Sequence, residues 1–190
     1  MFYRILRMIG KPFVYLLFPY KVIGREYLKT KGPLIMICNH ISLLDPVVLG
    51  MITPRQIFFI AKSEWFQNRF TRWLFTKLEA FPVNRHANDI SAIKKSLKVL
   101  NEGKILGIFP EGTRSLTGEI QPFERGIGLL AIQSGAMILP VRYKREFRLF
   151  RRQTVVVGKP FRLEGFNSGA ITKETINQAT EIFENAMKAL

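Results

Sequence analysis

A histidine and an aspartate five positions apart, His40 and Asp45, are the residues best suited to chemistry in this sequence. In a regular helix their side chains would point about 140° apart, so they can meet only if residues 40–44 form a turn. Such a turn would let the carboxylate fix the imidazole tautomer and stabilise its protonated form, as in pairs that activate a hydroxyl. The alternative is that Asp45 merely caps a helix that begins at Pro46.

A second polar segment, residues 109–115 (FPEGTRS), follows an apolar run at residues 104–109. Gly112 permits an unusual backbone angle, Glu111 accepts hydrogen bonds and Arg114 donates them, so the loop can bind a polyol phosphate. The alternative is an ordinary turn held by a salt bridge.

Arg85 ends the segment FPVNR and is another candidate phosphate ligand. A guanidinium group matches a phosphate group with two parallel hydrogen bonds. The alternative is a solvated surface arginine.

Short apolar runs alternate with helical patterns along the chain. Strands are predicted at residues 33–38, 56–61, 104–109, 138–143 and 153–157. One helix is predicted after an N-cap at Asn88, with a stop at Gly103, and another over residues 172–190. This alternation predicts a single layered α/β domain with a mostly parallel or mixed sheet flanked by helices.

Ligands of such sheets bind where loops leave the carboxyl ends of the strands. Three predicted loops occupy that position, at residues 39–45, 62–64 and 110–116. The candidate catalytic and phosphate-binding residues therefore fall at one edge of the predicted sheet.

The charge of the chain points to an anionic partner. Lysine and arginine number 29 against 14 acidic residues, for a formal net charge of +15. Nucleic acid, an anionic membrane and phosphorylated small molecules all suit such a field. The 16 phenylalanines, many beside basic residues in apolar runs, favour a lipid interface. We therefore expect an anionic membrane surface as partner and no nucleic acid; the single cysteine, Cys38, provides neither a disulfide nor a zinc cluster.

The first 20 residues have the pattern of a helix that lies at a membrane interface. The predicted apolar face consists of Phe2, Ile5, Leu6, Ile9, Phe13, Leu16 and Leu17, opposite Arg4, Arg7 and Lys11. Pro12 is expected to kink this helix or to start a second one. The apolar run is too short to span a bilayer, and no signal cleavage site follows it. A helix packed on the protein's own core is the alternative.

A second stretch rich in aromatic residues is expected to contact the membrane or the acyl chain. Its aromatic members are Trp65, Phe66, Phe70 and Trp73, interleaved with Arg69, Arg72 and Lys77. Core packing would account for some of these side chains. The two basic segments together predict attachment without a membrane-spanning anchor.

The motifs NHISLLD and FPEGTRS, about seventy residues apart, resemble those of the glycerolipid acyltransferases, specifically the 1-acyl-glycerol-3-phosphate acyltransferases. The resemblance covers most of the chain. The blocks that carry it are His40 with Asp45, Arg85, residues 111–114 and residues 138–141. The chain departs from the family pattern at Glu124, where lysine is usual, and at Asn84, where aspartate is common.

The resemblance implies roles for these residues. His40 would remove a proton from the acceptor hydroxyl, supported by Asp45, and Lys62 would face the carbonyl oxyanion or the phosphate. The residues expected to hold the substrate phosphate are Arg85, Glu111, Gly112, Thr113 and Arg114. No acyl-enzyme is required, because Cys38 lies in a predicted strand and no G-x-S-x-G motif is present.

The implied reaction transfers a fatty acyl group from acyl-CoA or acyl carrier protein to the 2-hydroxyl of 1-acyl-glycerol-3-phosphate (lysophosphatidic acid), giving phosphatidic acid for phospholipid synthesis. Another acceptor, such as glycerol 3-phosphate or a lysophospholipid, and a non-catalytic phospholipid-binding module stay open. No bound cofactor or metal is expected. We expect a membrane-interface segment at residues 1–20, an acyltransferase domain at residues 21–190, and a peripheral or monotopic protein on the cytoplasmic face of the cell membrane.

Overall fold

Seven strands form one mixed sheet in the computed structural model, which describes residues 2–84, 89–166 and 170–190. The strands are β1 Tyr20–Ile23, β2 Leu34–Cys38, β3 Ile57–Lys62, β4 Ala80–Val83, β5 Ile105–Ile108, β6 Met137–Tyr143 and β7 Gln153–Val157. The strand order is β1-β7-β6-β2-β5-β3-β4, in which the five strands β6, β2, β5, β3 and β4 run parallel to one another. Strand β7 runs antiparallel to β6 and parallel to β1.

Helices cover both faces of this sheet. They are α1 Phe2–Leu17, α2 Asp45–Ile52, α3 Arg69–Lys77, α4 Ile90–Asn101, α5 Gly126–Ser134 and α6 Lys173–Lys188, with short 3-10 helices at Arg25–Lys29 and Ser63–Phe66. The α/β layered fold is confirmed, as are the five predicted strands to within one residue at each end. Strands β1 and β4 and helices α3 and α5 were not predicted.

The central strand β2 is buried on both faces, as a parallel strand between helical layers must be. Its residues alternate between two apolar clusters, with Met36 facing the layer that contains α2 and Ile37 facing the layer that contains α5 and α6. Helix α5 approaches α6 so closely that a Cβ on Gly128 would lie 2.5 Å from the carbonyl oxygen of Ile176. This packing holds β2 and the loop after it in place.

The N-cap of helix α4 lies one residue later than predicted. Asn88 lies outside the described residues, and the N-cap is Asp89, whose Oδ1 accepts a hydrogen bond from the backbone N–H of Ala92. Hydrogen bonds from the Ser91 hydroxyl, then from the backbone N–H groups of Asn84 and Ala92, lower the pKa of Asp89 to about 2.

Helix α1 continues through Pro12, so the expected second helix does not form. Pro12 and the residue one turn before it, Met8, are both exposed. The carbonyl group that loses its N–H donor to the proline ring therefore lies on the outer side of the helix, where the loss disturbs no packing.

The polar side of α1 packs against the protein and its apolar side faces outward. The Tyr3 hydroxyl donates to the carbonyl oxygen of Gly50 at 3.3 Å, and the Arg7 guanidinium donates to that of Pro54 at 2.7 Å. Ile9 is 65% exposed and Phe13 63%. This orientation is the reverse of a helix that buries its apolar face in its own core. In the part of the chain that the structure describes, no helix is long and apolar enough to cross a bilayer.

Candidate active site

Three neighbouring parallel strands bring the candidate residues to one edge of the sheet. His40 follows β2, residues 111–114 follow β5, and Lys62 is the last residue of β3. Adjacent strands lie about 4.8 Å apart, so β3 lies roughly 10 Å from β2 across the sheet. Strand β4 ends at the same edge, but Arg85 beyond it lies outside the described residues.

His40 and Asp45 are in contact. Nδ1 of His40 lies 2.9 Å from Oδ2 of Asp45, so residues 40–44 form the turn that this contact requires. The same oxygen accepts the backbone N–H groups of Ile41 and Ser42, each at 2.7 Å. Asp45 is the first residue of α2 rather than its cap, a position held by Leu44. Because its carboxylate points back into the loop, it organises the segment that carries His40.

The Asp45 carboxylate is held where an ionised group is costly. Its side chain is fully buried, and burial raises the pKa of Asp45, against the lowering effect of hydrogen bonds from His40, Ser42 and Ile41. Oδ1 is buried and has no hydrogen-bond partner among the described residues. The Asp45 carboxylate therefore lies buried directly against the His40 ring.

The opposite nitrogen of the His40 ring is available for chemistry. The side chain is 17% exposed, and within the described residues Nε2 accepts and donates no hydrogen bond. When Nδ1 donates its proton to Asp45, the lone pair of a neutral imidazole lies on Nε2. In that tautomer, Nε2 of His40 could accept a proton.

Aromatic packing fixes the plane of the His40 ring. The ring of Phe109 lies 4.4 Å from it between centroids at an interplanar angle of 31°, and Phe109 stacks in turn on Phe59. Phe109 immediately follows β5, and Phe59 lies in the neighbouring strand β3. Two strands therefore position the imidazole.

Glu111 joins the loops that follow β2 and β5. Its Oε1 accepts the backbone N–H of His40 at 2.9 Å, and its Oε2 accepts that of Gln121 at 3.1 Å. Burial raises the pKa of Glu111, while these two hydrogen bonds oppose the shift. Both carboxylate oxygens of Glu111 thus accept hydrogen bonds from backbone N–H groups. Direct contact of Glu111 with a substrate phosphate stays a prediction.

The rest of this turn is open to solvent. Gly112 has φ +70°, a conformation that glycine adopts without strain, and its Cα faces the Glu124 side chain. Thr113 and Arg114 are exposed. Across the described ranges, neither the Arg114 guanidinium nor the half-exposed Lys62 ammonium forms an ion pair. Both cations are placed to accept an anionic ligand.

Two residues that support the site were not predicted. The Asn39 side chain accepts the backbone N–H of Tyr143 at 2.7 Å and donates to its carbonyl oxygen at 3.0 Å. The buried Tyr143 hydroxyl donates to the backbone carbonyl of Asp45 at 2.7 Å. The signal that could have found Asn39 is a polar residue directly after a wholly apolar strand.

Cys38 lies at the end of β2 and is fully buried. Burial, followed by the negative charge of Asp45, raises the pKa of the Cys38 thiol well above its ordinary value. The neutral thiol is a poor nucleophile. The predicted position of Cys38 in a strand is confirmed.

Large apolar side chains are exposed in the loops of the site and in the segments predicted to contact the membrane or the acyl chain. Leu43, in the His40 loop, is 61% exposed, and Leu116, just beyond Arg114, is 98% exposed. Of the predicted membrane-contact or acyl-chain-contact residues, Ile5, Trp65, Phe70 and Trp73 are also exposed, whereas Phe66 is half-buried. The side chain of Phe2 lies outside the described part of the structure.

Comparisons with known proteins show which family this chain matches. The acyltransferase family model matches residues 19–144, a range that contains His40, Asp45 and the 111–114 turn. A 1-acyl-sn-glycerol-3-phosphate acyltransferase of Bacillus subtilis (strain 168) is 34% identical over 176 residues, which cover 90% of this chain and 87% of that protein.

Other relatives are longer than this chain. A 1-acyl-sn-glycerol-3-phosphate acyltransferase of Saccharomyces cerevisiae is 32% identical over 181 residues, 88% of this chain but 58% of that protein. One from Borreliella burgdorferi is 32% identical over 122 residues, 63% of this chain and 49% of its own.

A solved structure shares the fold. It is the 1-acyl-sn-glycerophosphate (LPA) acyltransferase PlsC of Thermotoga maritima, which superposes with a TM-score of 0.74 over 98% of this chain and 77% of that one. The sequence identity is 23%, so this likeness concerns the fold.

Proposed function

Since the chain belongs to the acyltransferase family, we propose that it transfers a fatty acyl group from acyl-CoA or acyl carrier protein to the 2-hydroxyl of 1-acyl-glycerol-3-phosphate. The product would be phosphatidic acid for phospholipid synthesis. The observation that carries the proposal is the 2.9 Å contact between Nδ1 of His40 and Oδ2 of Asp45, which leaves Nε2 as the base. The relatives are named 1-acyl-sn-glycerol-3-phosphate acyltransferases, which supports 1-acyl-glycerol-3-phosphate as the acceptor.

The proposed reaction begins with a proton transfer. Nε2 of His40 takes the proton of the acceptor hydroxyl as its oxygen attacks the thioester carbonyl, and the buried Asp45 carboxylate stabilises the imidazolium that forms. When the tetrahedral intermediate collapses, the C–S bond breaks and the imidazolium returns the proton to the leaving thiolate. The products are an ester and a thiol, and the enzyme returns to its starting state.

The acceptor would be held by its phosphate. Arg114 is exposed in the loop after β5, and β5 neighbours β2, the strand before His40. A guanidinium–phosphate pair there would place the nearby hydroxyl within reach of Nε2. Gly112 and Thr113 would contribute backbone N–H groups, with Glu111 holding the turn. Lys62 and Arg85 would contact the phosphate or the oxyanion from the strands farther along the edge.

The acyl chains would reach the site from a membrane. Residues 1–20 would form the membrane-interface segment of the catalytic domain at residues 21–190, with the exposed apolar side of α1 in the lipid. A second contact would be formed by Phe70 and Trp73 in α3 and by Trp65 in the 3-10 helix before it. The positive charge of the chain suits the anionic cytoplasmic leaflet, so we place the protein there as a peripheral or monotopic protein.

The direct test is product analysis by mass spectrometry. Purified protein is offered lysophosphatidate, glycerol 3-phosphate or lysophosphatidylcholine together with acyl-CoA or acyl carrier protein thioesters. Phosphatidate as the main product would support the proposal. His40→Ala should transfer at least about 10²-fold more slowly while keeping the circular dichroism spectrum of the wild type, because base catalysis is removed from a folded protein. Wild-type turnover in His40→Ala would refute the mechanism, and acylation of another acceptor would refute the substrate.

The phosphate contact can be tested separately. Arg114→Ala should raise KM for lysophosphatidate by about tenfold or more, since a charge-assisted hydrogen bond contributes about 1.5–3 kcal/mol. A monoacylglycerol, which lacks the phosphate, should be acylated by both proteins at the same low rate. Arg162→Ala, an exposed arginine outside the site, is the matched control. An equal loss with both acceptors would show that Arg114 does not bind the phosphate.

A further inference from the structure

The connection between β6 and β7 ends in an exposed turn that combines basic and apolar side chains. This basic turn consists of Arg148, Leu149, Phe150, Arg151 and Arg152, all exposed. Leu149 is 54% and Phe150 67% exposed, although both are large and apolar. The Arg151 backbone N–H donates to the carbonyl oxygen of Arg148 at 3.0 Å and closes the turn.

The core holds the turn at both of its ends. Before it, Phe147 is buried and packs edge-on against Tyr143, with centroids 5.4 Å apart. After it, Gln153 is buried at the start of β7. The core therefore fixes the backbone on both sides of the turn that carries Leu149 and Phe150.

The basic turn is also joined to the carboxyl end of α1. The Phe150 N–H donates to the carbonyl oxygen of Leu17 at 2.7 Å, and the Gln153 N–H donates to that of Pro19 at 2.8 Å. The outer face of α1 carries Phe13, 63% exposed, and Leu16, 68% exposed, in its last turns. Leu149 and Phe150 thus extend the apolar surface of α1 beyond the end of the helix.

The backbone of Phe150 is strained, with φ +56°. A bulky side chain pays free energy to adopt this left-handed conformation, which glycine would adopt without cost. Because the Phe150 ring is exposed, packing inside the protein offsets little of this free energy. An aromatic residue at this position is better explained by a contact outside the molecule.

The charge around the turn is positive. Within the described residues, none of its three arginines forms an ion pair. A shallow cleft beside the turn adds Lys144 and Arg145, and Arg152 lines it too. Basic residues around exposed apolar side chains match the anionic headgroups and acyl region of a bilayer.

We propose that the basic turn is a further membrane contact, in which Leu149 and Phe150 enter an anionic bilayer beside α1 while Arg148, Arg151 and Arg152 bind its headgroups. This inference rests on the proposed membrane attachment of α1, because the turn is tied to that helix. It adds a site after the carboxyl end of β6, on the same edge of the sheet as His40, and it includes none of the residues proposed for catalysis or phosphate binding.

Insertion can be measured directly with a fluorophore at the turn. Leu149→Cys is labelled with an environment-sensitive dye; the native Cys38 is fully buried and does not compete for the label. On vesicles with one quarter phosphatidylglycerol, the emission should shift to the blue, as in an apolar environment. The matched control, Ile182→Cys, is 40% exposed on α6, in the helical layer opposite α1, and should show no shift.

Sedimentation with the same vesicles tests the two kinds of side chain. Phe150→Gly should bind about tenfold more weakly, because a partly exposed phenylalanine no longer leaves water, and should unfold at no lower temperature, because the strain is relieved. Arg148→Gln with Arg151→Gln should bind about thirtyfold more weakly, at about 1 kcal/mol per arginine. Lys94→Gln with Lys98→Gln, the same change of charge on α4, should bind as the wild type does.

Several results would overturn the inference. If the protein sediments with vesicles but the dye at position 149 does not respond, the turn stays outside the bilayer while the attachment of α1 stands. If no form sediments, membrane attachment itself fails, whereas acyl transfer to detergent-dispersed lysophosphatidate still tests the proposed reaction. Binding of duplex nucleic acid that depends on Arg148 and Arg151, without any vesicle binding, would assign the turn to another partner.

Discussion

Oε1 of Glu111 accepts the backbone N–H of His40 at 2.9 Å, across 71 positions of sequence. A residue of the predicted phosphate-binding loop thereby fixes the backbone of the predicted base. Since the other carboxylate oxygen holds Gln121, Glu111 ties the loops after two adjacent strands together. The segments proposed for catalysis and for phosphate binding are consequently coupled through the Glu111 carboxylate.

Glu111→Gln should damage this coupling. A glutamine amide has one acceptor oxygen, so one of the two backbone N–H groups would face an NH₂ donor. We expect a loss of about 1–3 kcal/mol in the free energy of unfolding. Turnover should fall by up to about 10²-fold through displacement of His40.

Urea denaturation and steady-state kinetics check this expectation. The matched control is Glu119→Gln, an exposed carboxylate in the same loop, which should change neither quantity. If Glu111 instead contacts the phosphate-bearing part of the substrate, KM will rise while kcat and the free energy of unfolding stay unchanged.

Asp45→Asn should separate charge from geometry. Oδ2 alone accepts all three hydrogen bonds to the Asp45 carboxylate, and an amide oxygen can take the same three. The loop should therefore keep its shape while the negative charge that stabilises the imidazolium disappears. We expect turnover at least about 10²-fold lower with an unchanged circular dichroism spectrum. Wild-type turnover in this variant would show that the His40–Asp45 contact is only structural.

The stability of the wild type should depend on pH through Asp45. Burial raises the pKa of Asp45 above its ordinary value of 3.8, so the folded state holds this proton more tightly than the unfolded state. The free energy of unfolding therefore falls as pH rises from 3.8 through the raised pKa, and it recovers on acidification.

Urea denaturation of the wild type and Asp45→Asn at pH 7 and pH 4 measures this term. The wild type should gain stability relative to the variant at the lower pH. Burial is the main cause of the raised pKa of Glu111 and is common to both proteins, so most of the Glu111 contribution cancels in the difference. A difference that is independent of pH would contradict the buried, costly carboxylate.

The sequence predicts the parts of this fold that follow from burial and local chemistry. Strands β2, β3, β5, β6 and β7 are apolar runs between polar loops, and those loops carry the motif residues. Strand β4 has four residues, one of them Pro82, and in the described part of the sheet it pairs with β3 alone. A proline, which cannot donate a ladder hydrogen bond, is tolerated in such an edge strand but not in a central one. Strand β1 is equally short and contains Lys21.

Other features depend on tertiary packing. Helix α5 is apolar on nearly all sides because it packs between α4 and α6, so it has no amphipathic period to recognise. The Asn39–Tyr143 bridge joins positions 104 apart, and the Glu111–His40 bond joins a side chain to a backbone group. Residue types alone therefore placed Glu111 in the right loop without revealing what it contacts.

Cys38→Ala should leave the transfer rate per folded molecule unchanged. The thiol is buried and its pKa is raised, so it cannot form an acyl-enzyme from within the core. The native protein should also resist alkylation by iodoacetamide, whereas the urea-unfolded protein should react at once. Loss of transfer in a variant that folds normally, or rapid alkylation of the native protein, would reopen a covalent route.

The exposed apolar side of α1 should determine membrane binding. Ile9 and Phe13 are 65% and 63% exposed, so Ile9→Ser with Phe13→Ser removes lipid contacts without removing core contacts. Binding to anionic vesicles should weaken by at least about tenfold, since burial of each side chain is worth about 1.5–3 kcal/mol. The free energy of unfolding should change by less than about 0.5 kcal/mol.

Vesicle sedimentation at low and high salt checks the prediction for α1. Ile90→Ser with Ile182→Ser, at 62% and 40% exposure on α4 and α6, is the matched control and should bind as the wild type does. High salt should release part of the wild type, because the arginines and lysines near the surface are screened. Binding that survives the α1 substitutions but falls with those on α4 and α6 would place the membrane on the opposite layer of the fold. The apolar surface of α1 would then need a different occupant, and the site edge at His40 a different route to lipid.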